Sequence, residues 1–250
     1  EEATYYSSVI AYNNSLARSS ASNLPREMSQ LAGTTVGGYA LFGGGYFQLS
    51  GFNYVTAYNS SLAKTTATNL SRARHSLAAT TIGNYALFGG GRTGAGEEED
   101  ANSRTDIVDA YTSSLVRSTP TVLNAPAQDL SATTMGDYAL FAGGQNTSTS
   151  MVTAYNNSLA RSSPSLLSRP RGYMGATSIG EYALFGGGRD GADAVNTVDV
   201  YDASLTRNTT TNLSVSRDQL AATSIGNYAL FAGGYYGGLY SNVVDVYTID

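Results

Sequence analysis

Short runs of apolar and β-branched residues, broken by glycine, asparagine and serine, occupy the chain from end to end. None shows the 3.6-residue recurrence of an amphipathic helix, and all have the length of strands. The cleanest run is Tyr228–Phe231, reading Tyr-Ala-Leu-Phe, with Gly226 and Asn227 before it and Gly233 and Gly234 after it. The phrase occurs five times; the other copies begin at Gly38, Asn84, Asp137 and Glu181. A second phrase, Val-Asp-Val-Tyr at Val198–Tyr201, has variants ending at Tyr12, Tyr58, Tyr111, Tyr155 and Tyr247. Self-similarity at such a period predicts a repeat architecture.

The spacings locate the constant and variable parts. Tyr12 to Tyr39, Tyr58 to Tyr85, Tyr111 to Tyr138, Tyr155 to Tyr182 and Tyr201 to Tyr228 are each 27 residues apart. The return intervals differ: 26 residues from Tyr85 to Tyr111 but 17 from Tyr138 to Tyr155. Surface loops absorb such length changes, and paired strands do not. Within a unit, Leu220–Ile225 predicts a first strand and Gly226-Asn227 a tight hairpin. Tyr228–Phe231 is then the second strand and Val243–Tyr247 the third. The polar stretch Leu205–Leu213 reads as a solvated outer strand. Gly233 and Gly234 free the backbone to turn or to approach a neighbour closely.

Four strands per unit, with Gly-Gly after the second and an apolar-x-x-Tyr third, resemble the kelch-repeat family. The matching pairs are Gly44-Gly45, Gly90-Gly91, Gly143-Gly144, Gly187-Gly188 and Gly233-Gly234. The resemblance covers nearly the whole chain. It departs at the fourth strand, where the family usually carries Trp; this chain has no Trp, and Ser, Thr or Asn stands there. The resemblance implies an all-β, five-bladed β-propeller of four-stranded blades in one domain. The units run over residues 26–70, 72–123, 127–167, 169–213 and 215–250. The last lacks a fourth strand. The expectation is that residues 7–25, through Leu16–Leu24, complete it and close the ring from both termini, leaving no edge open. Val9–Tyr12 is then a surplus third strand competing with Val243–Tyr247.

Composition narrows the chemistry. With a net charge of −5 and a pI near 4.8, nucleic acid is not the expected partner. No Cys is present, which removes disulfides and thiolate metal sites. No run of about 18 apolar residues exists, so no helical membrane insertion is expected. Lys64 is the one lysine among 14 basic residues. A surface of Ser, Thr, Asn, Gly and Tyr fits an extracellular, cell-surface or virion setting. The chain begins at Glu1, as expected if a leader was removed or if this is part of a longer protein. A monomer, or a domain of a larger chain, is expected.

No catalytic constellation emerges, and no cofactor or metal is expected. His75 is the single histidine and has no Cys or second His to work with. A Gly-x-Ser-x-Gly elbow is lacking. A paired-carboxylate glycosidase site has no sequence support, so a carbohydrate-active enzyme on the same propeller is one alternative reading, and a structural or assembly domain of a larger protein is the other. The acidic run Glu97–Asp100 lacks the alternating spacing of a calcium loop and reads as solvated charge. Seven Asn-x-Ser/Thr sequons occur, and Asn13, Asn59 and Asn156 share one repeat position. Those read as turn chemistry.

Subtracting the framework leaves the binding candidates. The aromatics outside the two phrases are Tyr5, Tyr6, Tyr46, Phe47, Phe52, Tyr54, Tyr173, Tyr235, Tyr236 and Tyr240. Most lie in the loops from strand two to strand three. In an up-and-down blade those loops share a face with the segments leading into strand one. These segments also vary: Ser29-Gln30, His75-Ser76, Gln128-Asp129, Gly172-Tyr173 and Asp218-Gln219. Arg74, Arg171 and Arg217 recur just before them, and arginine suits planar polar recognition. The expected function is non-enzymatic binding of a glycan or protein. Tyr46, Phe47, Tyr235, Tyr236, Tyr240 and Tyr173 form the contact face, with Arg74, Arg171 and Arg217 as polar helpers.

Overall fold

A computed structural model describes residues 5–94, 103–145 and 150–249. It is all-β among those residues, built from small antiparallel sheets. Sheet 1 is Ala32–Val36, Tyr39–Gly43, Val55–Asn59 and Lys64–Thr66. Sheet 2 is Ala78–Ile82, Tyr85–Gly89, Val108–Tyr111 and Arg117–Ser118. Sheet 3 is Ser131–Met135, Tyr138–Ala142, Val152–Asn156 and Arg161–Ser162. Sheet 4 is Gly175–Ile179, Tyr182–Gly186, Val198–Tyr201 and Arg207–Thr209. Sheet 5 has three strands, Ala221–Ile225, Tyr228–Ala232 and Val244–Thr248. Each sheet runs in sequence order, and each first strand lies beside the first strand of the next sheet. The arrangement is propeller-like.

The predicted hairpins form in register, with Ile225 opposite Tyr228 across Gly226-Asn227. The turn from strand three to strand four also repeats. Asn59 Oδ1 accepts the Ser61 and Ala63 N–H groups at 3.1 and 2.9 Å, and Asn156 and Asp202 do the same in their sheets. Asn13 Oδ1 likewise accepts from Ser15 and Ala17. The Asn-Ser pattern at this position thus serves the turn. Asp202 is held down at about pKa 2 by hydrogen bonds from Ser204 and Asn208.

The glycine pairs join neighbouring sheets. Gly44, Gly90, Gly143 and Gly187 take φ between +66° and +73°. A Cβ there would lie 2.3–2.7 Å from a carbonyl oxygen of the following sheet. The second glycine donates its N–H to that same carbonyl, as Gly45 does to Arg74 at 3.0 Å and Gly188 to Arg217 at 2.9 Å. The phenylalanine ring of a following sheet stands on the small residue that ends strand two of the sheet before it. A Cβ on Gly43, Gly89 or Gly186 would meet Phe88, Phe141 or Phe231 at 2.7–2.8 Å. Third-strand tyrosines add a further tie. The hydroxyls of Tyr58, Tyr155, Tyr201 and Tyr247 donate to Ser22, Thr121, Ser165 and Thr211 carbonyls in the preceding unit. Tyr111 is the exception; its buried hydroxyl has no protein partner.

The expected closure does not form. Val9–Tyr12 pairs with Arg18–Ala21 as a separate two-stranded hairpin, and sheet 5 keeps three strands. The reason is local: the two segments are already a third and fourth strand joined by the Asn13 turn. Neither segment competes for the slot of Val244–Thr248. The result is an arc with two open faces. Ile225 is 70% exposed where Ile179 is 4%, and Val246 is 54% exposed where Val200 is 9%. At the other end Tyr12 is 65% exposed where Tyr58 is 3%.

Candidate functional site

Five residues in the segments before the first strands share one backbone conformation. Gln30, Ser76, Asp129, Tyr173 and Gln219 have φ between +53° and +56°. None is glycine, so each carries a conformational cost that its surroundings must offset. The surroundings are the other members of the set. Ser76 N–H donates to Gln30 C=O at 3.0 Å, Asp129 to Ser76 at 2.9 Å, Tyr173 to Asp129 at 2.9 Å, and Gln219 to Tyr173 at 2.9 Å. A belt of backbone hydrogen bonds therefore crosses all five sheets. The residue before each belt position bridges to the residue after the Gly-Gly pair, as in His75 with Arg92 and Gln128 with Gln145. Backbone geometry is thus constant at these positions while the side chains change from unit to unit.

Above the belt lies a cavity of about 540 Å³. Its lining is amide-rich, with Gln30, Gln128, Gln145 and Gln219, and it adds the rings of Tyr5, Tyr46 and Tyr173. His75, Ser76, Arg92 and Asp129 complete it. Beneath the belt a ring of Leu31, Leu77, Leu130, Met174 and Leu220 lines an apolar throat. Polar groups of the cavity hold one another. Gln145 Oε1 accepts from Tyr173 Oη at 2.9 Å and from Gln128 Nε2 at 3.3 Å, and Gln128 Nε2 also donates to Asp129 at 3.1 Å. Ser76 Oγ donates to Gln30 Oε1 at 3.1 Å. The His75 ring lies 4.7 Å from the Tyr46 ring. Burial, aided by the Arg92 cation, lowers the His75 pKa to about 4, so the imidazole is neutral at pH 7. Beyond the cavity Arg189 pairs with Asp218 at 2.6 Å.

The sequence candidates divide. Tyr46 and Tyr173 line the cavity. Arg74, Arg171 and Arg217 are fully buried inside their sheets and are not presented to it. Arg171 Nη1 meets Asp199 at 2.8 Å, and Nε and Nη2 donate to the Gly187 and Phe185 carbonyls. Arg74 pairs with Asp109 at 2.8 Å and Arg217 with Asp245 at 2.7 Å. Burial lowers the pKa of Arg74 and Arg171, and the partner aspartate opposes the shift. These arginines are ties between the approach segment and strand three of the same sheet.

The remaining aromatics sit on two small hairpins, Tyr46–Phe47 with Ser50–Gly51 and Tyr235–Tyr236 with Leu239–Tyr240. Phe47 packs edge-on to Tyr5 at 5.2 Å, and the Arg26 guanidinium lies over Phe47 and Phe52 at 5.0 and 4.4 Å. Tyr235 contacts Tyr240 at 5.6 Å, while Tyr236 and Tyr240 are exposed. Among the described residues no ring contact joins the two hairpins. These aromatics, read from the sequence as one contact face, thus lie on two hairpins that share no ring contact among the described residues. Arg92, Gln128 and Gln145 were not legible as site residues. Their signal is positional: each sits on the belt-side bridge. Glu97–Asp100 and Asn146 lie outside the described residues. No cluster of metal-ligating side chains exists among the described residues.

No family model matches the chain, and no curated protein matches it. Among solved structures, the chain is similar to one titled "Structure of YjhT", with a TM-score of 0.75 and 13% sequence identity. The alignment covers 98% of this chain and 95% of that one. At that identity the likeness is one of fold, and it supports the propeller-like reading of the sheets.

Proposed function

We propose that the chain is a non-enzymatic binding module that takes a glycan in the cavity above the belt. The observation carrying this reading is side-chain variation on a fixed backbone. Five equivalent positions hold Gln, Ser, Asp, Tyr and Gln at nearly one φ. A framework that held only itself together would have no need of four different side chains at five equivalent positions. The chemistry suits a saccharide. Amides, a carboxylate and a guanidinium offer directional donors and acceptors for hydroxyl groups, and tyrosine gives a flat apolar face with a polar tip. A setting at a cell or virion surface, as a monomer or within a larger chain, accompanies this reading.

A glycan array with the purified chain tests it, followed by titration of the best hit. Gln145→Ala removes the acceptor shared by Gln128 and Tyr173 and should weaken binding about tenfold or more, equivalent to about 1.4 kcal/mol. The melting temperature should stay nearly constant. Retention of a protein ligand but no glycan would redirect the site to protein recognition. Turnover of a bound glycan that is lost in His75→Ala would make it an enzyme.

A further inference from the structure

We propose that the gap between sheet 5 and the N-terminal hairpin binds one more copy of the chain's own strand-four, strand-one and strand-two segment. Four closed interfaces show what each open face is built to meet. On the sheet 5 side, Gly233 keeps the φ of +69° shared by its equivalents, yet the nearest atom to a Cβ there is 3.9 Å away. The other four have a neighbour's carbonyl within 2.7 Å. Ala232 is the small residue on which a following phenylalanine would stand. Among the described residues Val244–Thr248 has a second-strand partner and no fourth.

The hairpin side carries the complementary omissions. Among the described residues Val9–Tyr12 has a fourth-strand partner and no second. The Tyr12 ring is exposed, whereas its equivalents Tyr58, Tyr155, Tyr201 and Tyr247 reach a carbonyl after the preceding fourth strand. The belt also ends on both sides. The Gln219 carbonyl has no following belt residue, and the Gln30 N–H has no preceding one, among the described residues.

One segment type meets every one of these needs. After each third-strand tyrosine the chain runs a constant 27 residues to the next Tyr-Ala-Leu-Phe tyrosine, passing through strand four, the belt residue and strand one. Such a segment pairs with Val244–Thr248 at its start and with Val9–Tyr12 at its end. Its belt residue links Gln219 to Gln30. Its glycine pair donates to Met28, the residue equivalent to Arg74. Gln30 and Gln219 already line one cavity, so a single unit is the size in question.

The probe is a synthetic peptide of the sequence from residue 202 to residue 234, added to the full chain. Hydrogen exchange at 9–12 and 244–248 should slow, and the melting temperature should rise. A scrambled peptide should do neither. Val246→Asp lies on the open face, so it should leave the free chain's melting unchanged and weaken peptide binding about tenfold or more. A covalent version, the same segment fused after Tyr247, guards against an insoluble peptide and should melt higher than a scrambled fusion. Unchanged exchange with the peptide and no gain in the fusion would overturn the proposal. So would a stable dimer of the free chain in which 9–12 and 244–248 are already protected, because a second copy would then cover the faces.

Discussion

In sheet 4 the approach segment is tied to strand three by buried Arg171 and Asp199; in sheet 3 the same two positions are Ala127 and Thr153. The backbone around them is the same. Asp199 accepts the Ser168 N–H at 3.1 Å, and Thr153 accepts the Asn124 N–H at 3.0 Å. The carbonyls of Arg171 and Ala127 each accept a glycine N–H from the sheet before. Sheets 2 and 5 follow the charged form, with Arg74–Asp109 and Arg217–Asp245, and sheet 1 follows the neutral form, with Met28 and Thr56. No sheet mixes the two. A buried charge without its partner is far costlier than either complete pair, so the positions change together or not at all.

The comparison can be broken most sharply in sheet 4. Arg171→Ala alone leaves buried Asp199 with only the Ser168 hydrogen bonds and the part-exposed Arg207 at 3.3 Å, and should cost up to about 3–5 kcal/mol in urea unfolding. Adding Asp199→Thr reproduces the sheet 3 solution and should return the protein to within about 2 kcal/mol of the parent. A double variant as unstable as the sum of its parts would show that the neutral form depends on more than these two positions.

Next in size is a contrast between glycines. Gly187→Ala and Gly233→Ala both impose a positive φ on a side chain, at about 1 kcal/mol each. Only Gly187 also faces a carbonyl 2.6 Å from the new Cβ. It should lose a further 1–3 kcal/mol or so. Equal losses would mean that the close approach between sheets contributes nothing.

A smaller effect has the opposite sign. Gln48 and Leu49 have φ of +46° and +63° at the tip of the sheet 1 loop hairpin, where the sheet 5 hairpin uses Gly237 and Gly238. Leu49→Gly should stabilise the protein by about 1 kcal/mol in the same assay. A separate effect is in pH dependence. The folded His75 pKa is about 4, below its usual 6.5. Between those values the unfolded chain binds more protons, so stability falls as pH drops from 6.5 to 4. His75→Gln should flatten that part of the melting-versus-pH curve, and an unchanged slope would mean that His75 is not the titrating group.

Much of the fold was legible because strand period, hairpin signals and glycine pairs are local. Tyr228–Phe231 and its partners formed as read. Closure was not legible, since it depends on which surfaces meet and not on any segment's own preference. The role of the arginines was written in the chain all the same. At the position of Arg74, Arg171 and Arg217, arginine occurs only in units whose third strand has Asp two residues before its tyrosine, as at Asp109, Asp199 and Asp245. Read one unit at a time, these arginines look like free polar helpers. The belt was half legible: its positions stood out by their variability, but Gln, Ser and Tyr, unlike Asp129, give no sign of a left-handed backbone.

That belt has a direction. Every link runs from the N–H of one unit to the carbonyl of the unit before it. Its two ends are therefore unlike, a donor at Gln30 and an acceptor at Gln219. Like ends have no hydrogen bond to exchange, so self-association through them must bring the Gln30 end of one copy to the Gln219 end of another. Any self-association through these ends is heterologous, head to tail. Its products are a closed ring of copies, the two-membered ring included, or an open filament.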